Sequence, residues 1–279
     1  MTRPGVTRLV VALAMGAVPL AKAPAQPPPP AAQAPLAGQP PALQPEAVAI
    51  LKAAGETLAE AASMSFTALN TYERPAVNGQ PLYYTTLNQV TLRRPDKLRV
   101  ITPGDGTADE FYYDGKTMVA FVPEVNLAAV AEAPPSIDEL VDAAWEKAAI
   151  YFPFSDVIMS DPYADMAKTM TSAFVVGQSK VVGGTVTDMV AVASPTVQAE
   201  IWIGKDDHLP RMVRVVYPNE PGHARYQTDF SDWRLGDAVS DDAFASEPAR
   251  HAMPVPFAPP GPGTAPGASQ AAPAAPKQP

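Results

Sequence analysis

The chain has no cysteine, which excludes disulfides, thiolate metal sites, cysteine nucleophiles and a lipidated N-terminal cysteine together. Its three histidines, His208, His223 and His251, are not spaced as a metal set or a nucleophile relay. No phosphate loop or glycine-rich nucleotide fingerprint is present, so no cofactor is expected. Long apolar runs are also missing: the longest, Leu9 to Leu20, is about a dozen residues against the ~20 a membrane-spanning helix needs. Positive charge is scarce. The formal net charge of −9 argues against nucleic acid and anionic lipid head groups as partners.

What is abundant is proline, with 34 in 279 residues, crowded between Pro24 and Pro45 and again from Pro254 to the end. Arg3 and Arg8, the apolar run and then Ala21, Ala23 and Ala25 have the layout of a secretory signal peptide over residues 1–25. Cleavage after Ala25 removes Arg3, Arg8 and Lys22, three positive charges, and takes the net charge from −9 to −12. Export without cysteine points to a bacterial periplasm, with a soluble mature chain and no membrane span. Residues 26–45, almost all Pro, Ala and Gln, read as an extended linker, and residues 254–279 as a disordered Pro/Ala/Gly-rich tail. That leaves residues 46–253 as one sizeable domain.

Within it, Pro45 suits a helix start, and Val48, Leu51, Gly55, Leu58 and Ala62 form one apolar stripe. The period then shifts toward two. Ser65–Glu73, Tyr83–Arg93, Lys97–Ile101 and Asp109–Tyr113 read as strands, with turns at Asn78-Gly79, Pro103-Gly104 and Asp105-Gly106. Asp114-Gly115 predicts a type I′ hairpin with Tyr113 opposite Lys116 and Phe111 opposite Met118. That arrangement puts Phe111, Met118 and Ala120 on one face and Tyr112, Val119 and Phe121 on the other. Ser136 to Glu139 is a capping box, and Ile137, Leu140, Val141, Ala144, Trp145 and Ala148 predict a helix to about Ile150. A shorter helix follows Asp161-Pro162, carrying Met166 and Met170. Strands return over Ala173–Val182, Thr185–Ala193, Gln198–Gly204, Leu209–Tyr217 and His223–Trp233, joined by Gly183-Gly184 and Lys205 to His208. The fold class is therefore α+β, mainly β: a strongly curved antiparallel sheet, an incomplete β-barrel, with helices on its concave face as a lid.

Arg93, Arg94-Pro95, Asp114-Gly115-Lys116-Thr117, Phe121-Val122-Pro123 and the closing Asp241-Asp242-Ala243-Phe244 resemble the periplasmic lipoprotein-carrier family. Arg94 to Arg99, Ser136 to Leu140, Ser160 to Tyr163 and Leu209-Pro210-Arg211 resemble more closely a family of predicted periplasmic proteins, the DUF2092 domain, over roughly residues 46 to 250. The carrier resemblance implies an apolar cavity under a helical lid, and a latch in which Arg94 hydrogen-bonds lid backbone. The chain departs from the carriers in its longer helical insertion and in closing on Glu247-Pro248-Ala249-Arg250.

The residues expected to line a ligand site are Phe66, Tyr84, Leu87, Phe111, Met118, Trp145, Phe152, Phe154, Met166, Met170, Trp202, Met212 and Trp233, each of which could equally be ordinary core. The methionines among them favour an adaptable surface, because thioethers fill irregular gaps. Asp206-Asp207 reads as a solvated hairpin tip rather than a pair of catalytic carboxylates, so no enzyme activity is expected. Two functions stay open. One is a carrier or binding protein for an acyl chain, a lipoprotein or another hydrophobic ligand. The other is a sensor or interaction module that engages an envelope protein through the curved sheet, as related-fold periplasmic anti-sigma regulators do.

Overall fold

A computed structural model describes residues 43–259 apart from 105, 106 and 221. The leader expected over 1–25, nearly all of the 26–45 linker, the Asp105-Gly106 turn and the tail beyond residue 259 lie outside the described residues.

Helix α1 (Pro45–Glu60) opens on Pro45, whose fixed φ suits a first turn, and buries Ala47, Leu51, Ala54, Gly55 and Leu58. Strands β1 (Ser63–Pro75), β2 (Pro81–Arg93), β3 (Lys97–Thr102), β4 (Asp109–Tyr113), β5 (Thr117–Val122) and β6 (Leu127–Glu132) form an antiparallel meander. The helical insertion follows as α2 (Ile137–Ala148), α3 (Ser155–Ile158) and α4 (Pro162–Thr169). A second meander runs through β7 (Ser172–Ser179), β8 (Thr187–Ala193), β9 (Gln198–Gly204), β10 (Pro210–Val216) and β11 (Arg225–Leu235). Helix α5 (Glu247–Arg250) and strand β12 (Met253–Val255) close the described chain.

All strands join one 12-stranded sheet in the order β12-β6-β5-β4-β3-β2-β1-β11-β10-β9-β8-β7. The β1–β11 pair, with Ala68 opposite Phe230 and Tyr72 opposite Tyr226, welds the two meanders together. The ends, β12 and β7, do not meet, so the curved sheet stays unclosed. The folded region runs past the expected 253 boundary: β12 pairs in parallel with β6, and Phe257 packs on the main core. Apolar Phe257 among the prolines packs on the core, whereas Val255 stays exposed and joins only through its backbone pairing with β6.

The Asp114 hairpin differs from expectation in register. Tyr113 faces Met118 and Phe111 faces Ala120, a shift of two residues. Oδ1 of Asp114 accepts hydrogen bonds from the backbone N–H of Lys116 (2.9 Å) and Thr117 (2.7 Å), which keeps Asp114 outside the turn and leaves Gly115 and Lys116 at the tip. Only Gly115 of these has positive φ, as a II′ turn requires and a I′ turn does not. Because the shift is even, the predicted faces survive: Phe111, Tyr113, Met118 and Ala120 look one way, and Tyr112, Val119 and Phe121 the other.

Helices α1 to α4 lie on the concave face, over two apolar clusters. The larger joins Ile137, Leu140 and Ala144 of α2 with Phe152, Phe154, Val157 and Ile158, over Phe66, Val90, Leu98, Val100, Phe111 and Met118 of the sheet. The smaller packs Ala47, Leu51 and Ala54 of α1 on Ala173, Val190, Ile201 and Ile203, with Tyr163, Met166 and Met170 at its margin. Where α1 meets α4, a Cβ at Gly55 would lie 2.6 Å from Cβ of Tyr163, so the two helices approach as closely as a glycine allows.

Candidate functional site

The cover over the sheet is anchored through polar contacts at its two ends. Ser136 caps α2, its Oγ accepting from Glu139 N at 3.3 Å, and Ile137 N donates to Pro95 O at 2.9 Å. Asp138 in the first turn accepts from Ser160 N (2.9 Å) and from the Ser160 hydroxyl, tying α2 to the end of α3. Arg94 reaches between helices, Nη1 donating to Ile158 O at 2.9 Å and Nη2 to Leu58 O at 3.3 Å, so one guanidinium holds the last carbonyls of α3 and α1. Burial lowers its pKa below the ordinary arginine value, opposed only in part by the Asp138 carboxylate. Its Nε is buried without a hydrogen-bond partner.

Under this cover the structure brings together Phe66, Phe111, Met118, Phe152, Phe154 and Trp233 of the expected site residues. Phe66 meets Phe154 edge-on at 5.7 Å and Trp233 at 4.5 Å, and Phe111 meets Phe152 edge-on at 5.0 Å. These rings fill the space between α2 and the sheet. Trp145 is half-buried on α2, edge-on to Tyr151 at 6.5 Å. Met166 and Met170 belong to the separate cluster beneath α1 and α4.

Three expected residues stand apart from the covered face. Ile201 and Ile203 face the helices, so Trp202 between them faces outward, opposite Met212 and with Arg214 above its ring at 5.4 Å. Leu87 alternates with inward Asn88 and lies on the outer face against Leu69, which is exposed. Trp202 and Met212 are buried all the same, so hydrophobicity announced burial while strand parity decided the face.

Tyr84 does face inward, but beyond a belt of polar residues. Asn70 Nδ2 donates to Asn88 Oδ1 (2.7 Å), and Asn88 Nδ2 donates to Thr102 Oγ1 (2.9 Å). Oδ1 of Asn70 accepts from the Tyr226 hydroxyl (2.7 Å) and from Thr228 Oγ1 (3.0 Å). The belt thus crosses β11, β1, β2 and β3 with its buried amides paired. The Tyr226 hydroxyl also lies 3.1 Å from Pro153 O, touching the cover. The signal was present in the sequence: Asn70, Asn88, Thr102 and Thr228 interrupt inward positions that are apolar on the same strands at Ala68, Val90, Val100 and Phe230.

Past the belt the inner face is aromatic. Tyr72 stacks on Tyr84 at 5.7 Å, and the Arg74 guanidinium lies 5.9 Å from the Tyr72 ring centroid. Tyr151 and Tyr217 stand on the side of the cover and β10. Burial and the negative charge at Asp156 raise both phenols, Tyr217 to about 12. Asp156 itself is exposed; partial desolvation by the surrounding protein and the charge of Asp165 raise its carboxyl above the usual range.

Elsewhere, Arg93 ties the segment before α5 to the outer face. It pairs with Asp241, donates to Val239 O at 2.7 Å and lies over the Phe244 ring at 5.6 Å. A cleft of about 190 Å³ between this segment and β4–β6 is lined by Tyr112, Val119, Val130, Phe244 and Ala249. Another, of about 350 Å³, lies beside α1 among Glu46, Ile50, Asp188, Lys205 and His208. His208 and His223 are exposed, and exposed His251 contacts Glu247 at 3.0 Å. Asp206 and Asp207 occupy the β9–β10 tip, where Asp207 pairs with Arg211 at 2.5 Å and accepts from Leu209 N at 3.1 Å. Among the described residues no group of three His, Asp or Glu is placed to hold a metal, and no helix is long and apolar enough to cross a membrane.

No curated protein matches the chain. Solved structures of similar fold include a chain of the Pseudomonas aeruginosa MucA/MucB complex (19% identity, 73% of this chain and 62% of that one, TM-score 0.42). This chain therefore spans less than two thirds of the length of that relative. LprF from Mycobacterium bovis matches at 15% identity over 71% of this chain and 97% of its own (TM-score 0.44). A LolA superfamily protein from Nitrosomonas europaea matches at 11% identity over 72% and 98% (TM-score 0.34). The family pattern that fits residues 47–258, from the first buried turn of α1 to the segment after β12, settles the assignment: the chain belongs to the DUF2092 family, described as predicted periplasmic proteins.

Proposed function

We propose that this periplasmic protein binds an acyl chain or similar apolar ligand on the concave face of its sheet, under the cover formed by α2, α3 and the loop between them. The observation that carries the proposal is the segment 152–158. Its buried Phe152, Phe154, Val157 and Ile158 occupy the space between α2 and the sheet. An acyl chain would need that same space. Exposing side chains of this kind costs ~1.5–3 kcal/mol each, so withdrawing the segment costs roughly 6–12 kcal/mol gross. Burying a chain of ~16 carbons returns about 12 kcal/mol gross at ~0.8 kcal/mol per methylene. The two are close enough for a ligand to replace the plug without unfolding the domain. Native mass spectrometry of protein isolated from the periplasm, with displacement of a fluorescent fatty-acid probe, tests the proposal. Bound lipid mass and saturable displacement are expected; absence of both refutes it.

A second reading, engagement of an envelope protein, is favoured by one feature. Beyond Tyr72 on β1 and Gln89 on β2 no strand among the described residues flanks the hairpin, and it exposes Val77, Leu82 and, at 66%, Tyr83. Capture of a protein partner that is lost on Tyr83→Ser, with lipid binding unchanged, would assign the hairpin to that role.

A further inference from the structure

The inward residues of β1 change character in one direction along the strand. Met64, Phe66 and Ala68 lie in the apolar cluster, Asn70 lies in the polar belt, Tyr72 stacks on Tyr84, and Arg74 comes last, at the rim. At ~6.6–6.8 Å for every second residue, Phe66 and Arg74 stand about 27 Å apart. The order is that of a single-chain amphiphile, with its hydrocarbon end inward and its polar end outward.

Arg74 has the chemistry for that polar end. Its Nε and Nη2 are buried, and neither has a hydrogen-bond partner among the described residues. Together these two nitrogens make one edge of the guanidinium fork, the edge that grips a carboxylate or phosphate with parallel hydrogen bonds. The neighbouring acid is not available to it, because Glu73 points to the outer face and pairs there with Arg225 at 3.4 Å. Donors left unpaired in a dry setting are costly, so an incoming pair of anionic oxygens would satisfy what the fold does not. No strand among the described residues flanks the hairpin ribbon carrying Arg74 beyond Tyr72 and Gln89, so it can yield to admit a head group.

Resting on the binding reading above, we infer that the ligand is an anionic amphiphile whose carboxylate or phosphate is held by the Nε–Nη2 edge of Arg74 over the Tyr72–Tyr84 stack. Three probes of one chain length separate the cases: hexadecanoate, hexadecyl phosphate and hexadecanol, titrated against the full chain and against Arg74→Gln. The wild type is expected to prefer at least one anion to the alcohol, and the relative affinity of the two anions identifies the head group. Arg74→Gln is expected to cost that anion about tenfold to a hundredfold, with hexadecanol unchanged. Equal affinity for all three probes in the wild type overturns the inference and leaves the binding reading standing. Failure of the wild type to bind any probe removes both. Should Arg74→Gln lose hexadecanol as well, Arg74→Lys decides: a loss confined to the anions supports the inference, and an equal loss across the probes overturns it.

Discussion

Replacing Arg94 by Gln tests how the cover is held. The substitution removes hydrogen bonds from a charged donor to Ile158 O and Leu58 O and leaves both carbonyls to find other partners. Bonds of that type contribute ~1.5–3 kcal/mol each. The guanidinium, however, is itself partly desolvated and its Nε is unpaired, so part of that gain is already offset in the wild type. A net loss of about 1.5–3 kcal/mol is expected, concentrated in α3 and the last turn of α1. If α3 opens locally, that corresponds to amide exchange roughly tenfold to a hundredfold faster over residues 152–160. The amides of β1, β2 and β11, protected by global unfolding, should change less. Helix α2 should also change less, because its own ties run through Pro95 O and Asp138 rather than Arg94. Hydrogen exchange read by mass spectrometry resolves these segments. Unchanged exchange at 152–160, or an equal rise everywhere, would refute the latch.

Phe154→Ala should cost about 3–5 kcal/mol by leaving a cavity among Phe66, Phe152 and the sheet, measured by urea unfolding, and should raise uptake of a small apolar probe. Gly55→Ala gains about 1 kcal/mol of helix propensity but sets a methyl 2.6 Å from Tyr163 Cβ, so a net loss of stability with looser α1–α4 packing is expected; a higher melting temperature would contradict the contact. Asp156 has a folded pKa raised above its unfolded value, so its charged form opposes folding at pH 7 and the penalty fades as pH falls through the raised pKa toward 3.8. Asp156→Asn should therefore be more stable than wild type at pH 7, with the difference vanishing near pH 3.8; a constant difference across that window would argue against it.

Local chemistry made much of this fold legible. The Ser136 capping box, Pro45 at a first helical turn and Asp161 before Pro162 each act within one turn, and each helix begins where they predict. Most strands also lie where alternation and turn residues put them; β6, over Leu127–Glu132, and β12, at the start of the expected tail, were not read from the sequence. The candidate site was less legible, since an apolar residue in a strand announces burial but not on which face. Trp202, Met212 and Leu87 were read as one set with Phe66 and Phe111, yet they occupy the opposite side of the sheet. Tyr84 faces the correct side but stands beyond a polar belt whose members are spread over β1, β2, β3 and β11.

By itself the sequence determined the local units: which segments extend, which coil, where the turns fall and which side chains share a strand face, because these depend on neighbours a few residues away. The tertiary structure decided that β1 pairs with β11, which face of the joined sheet the helices cover, and that Arg94 spans α1 and α3 while Nε and Nη2 of Arg74 find no hydrogen-bond partner among the described residues. Those outcomes depend on contacts between residues as far apart as Asn70 and Thr228, for which no local pattern carries a signal.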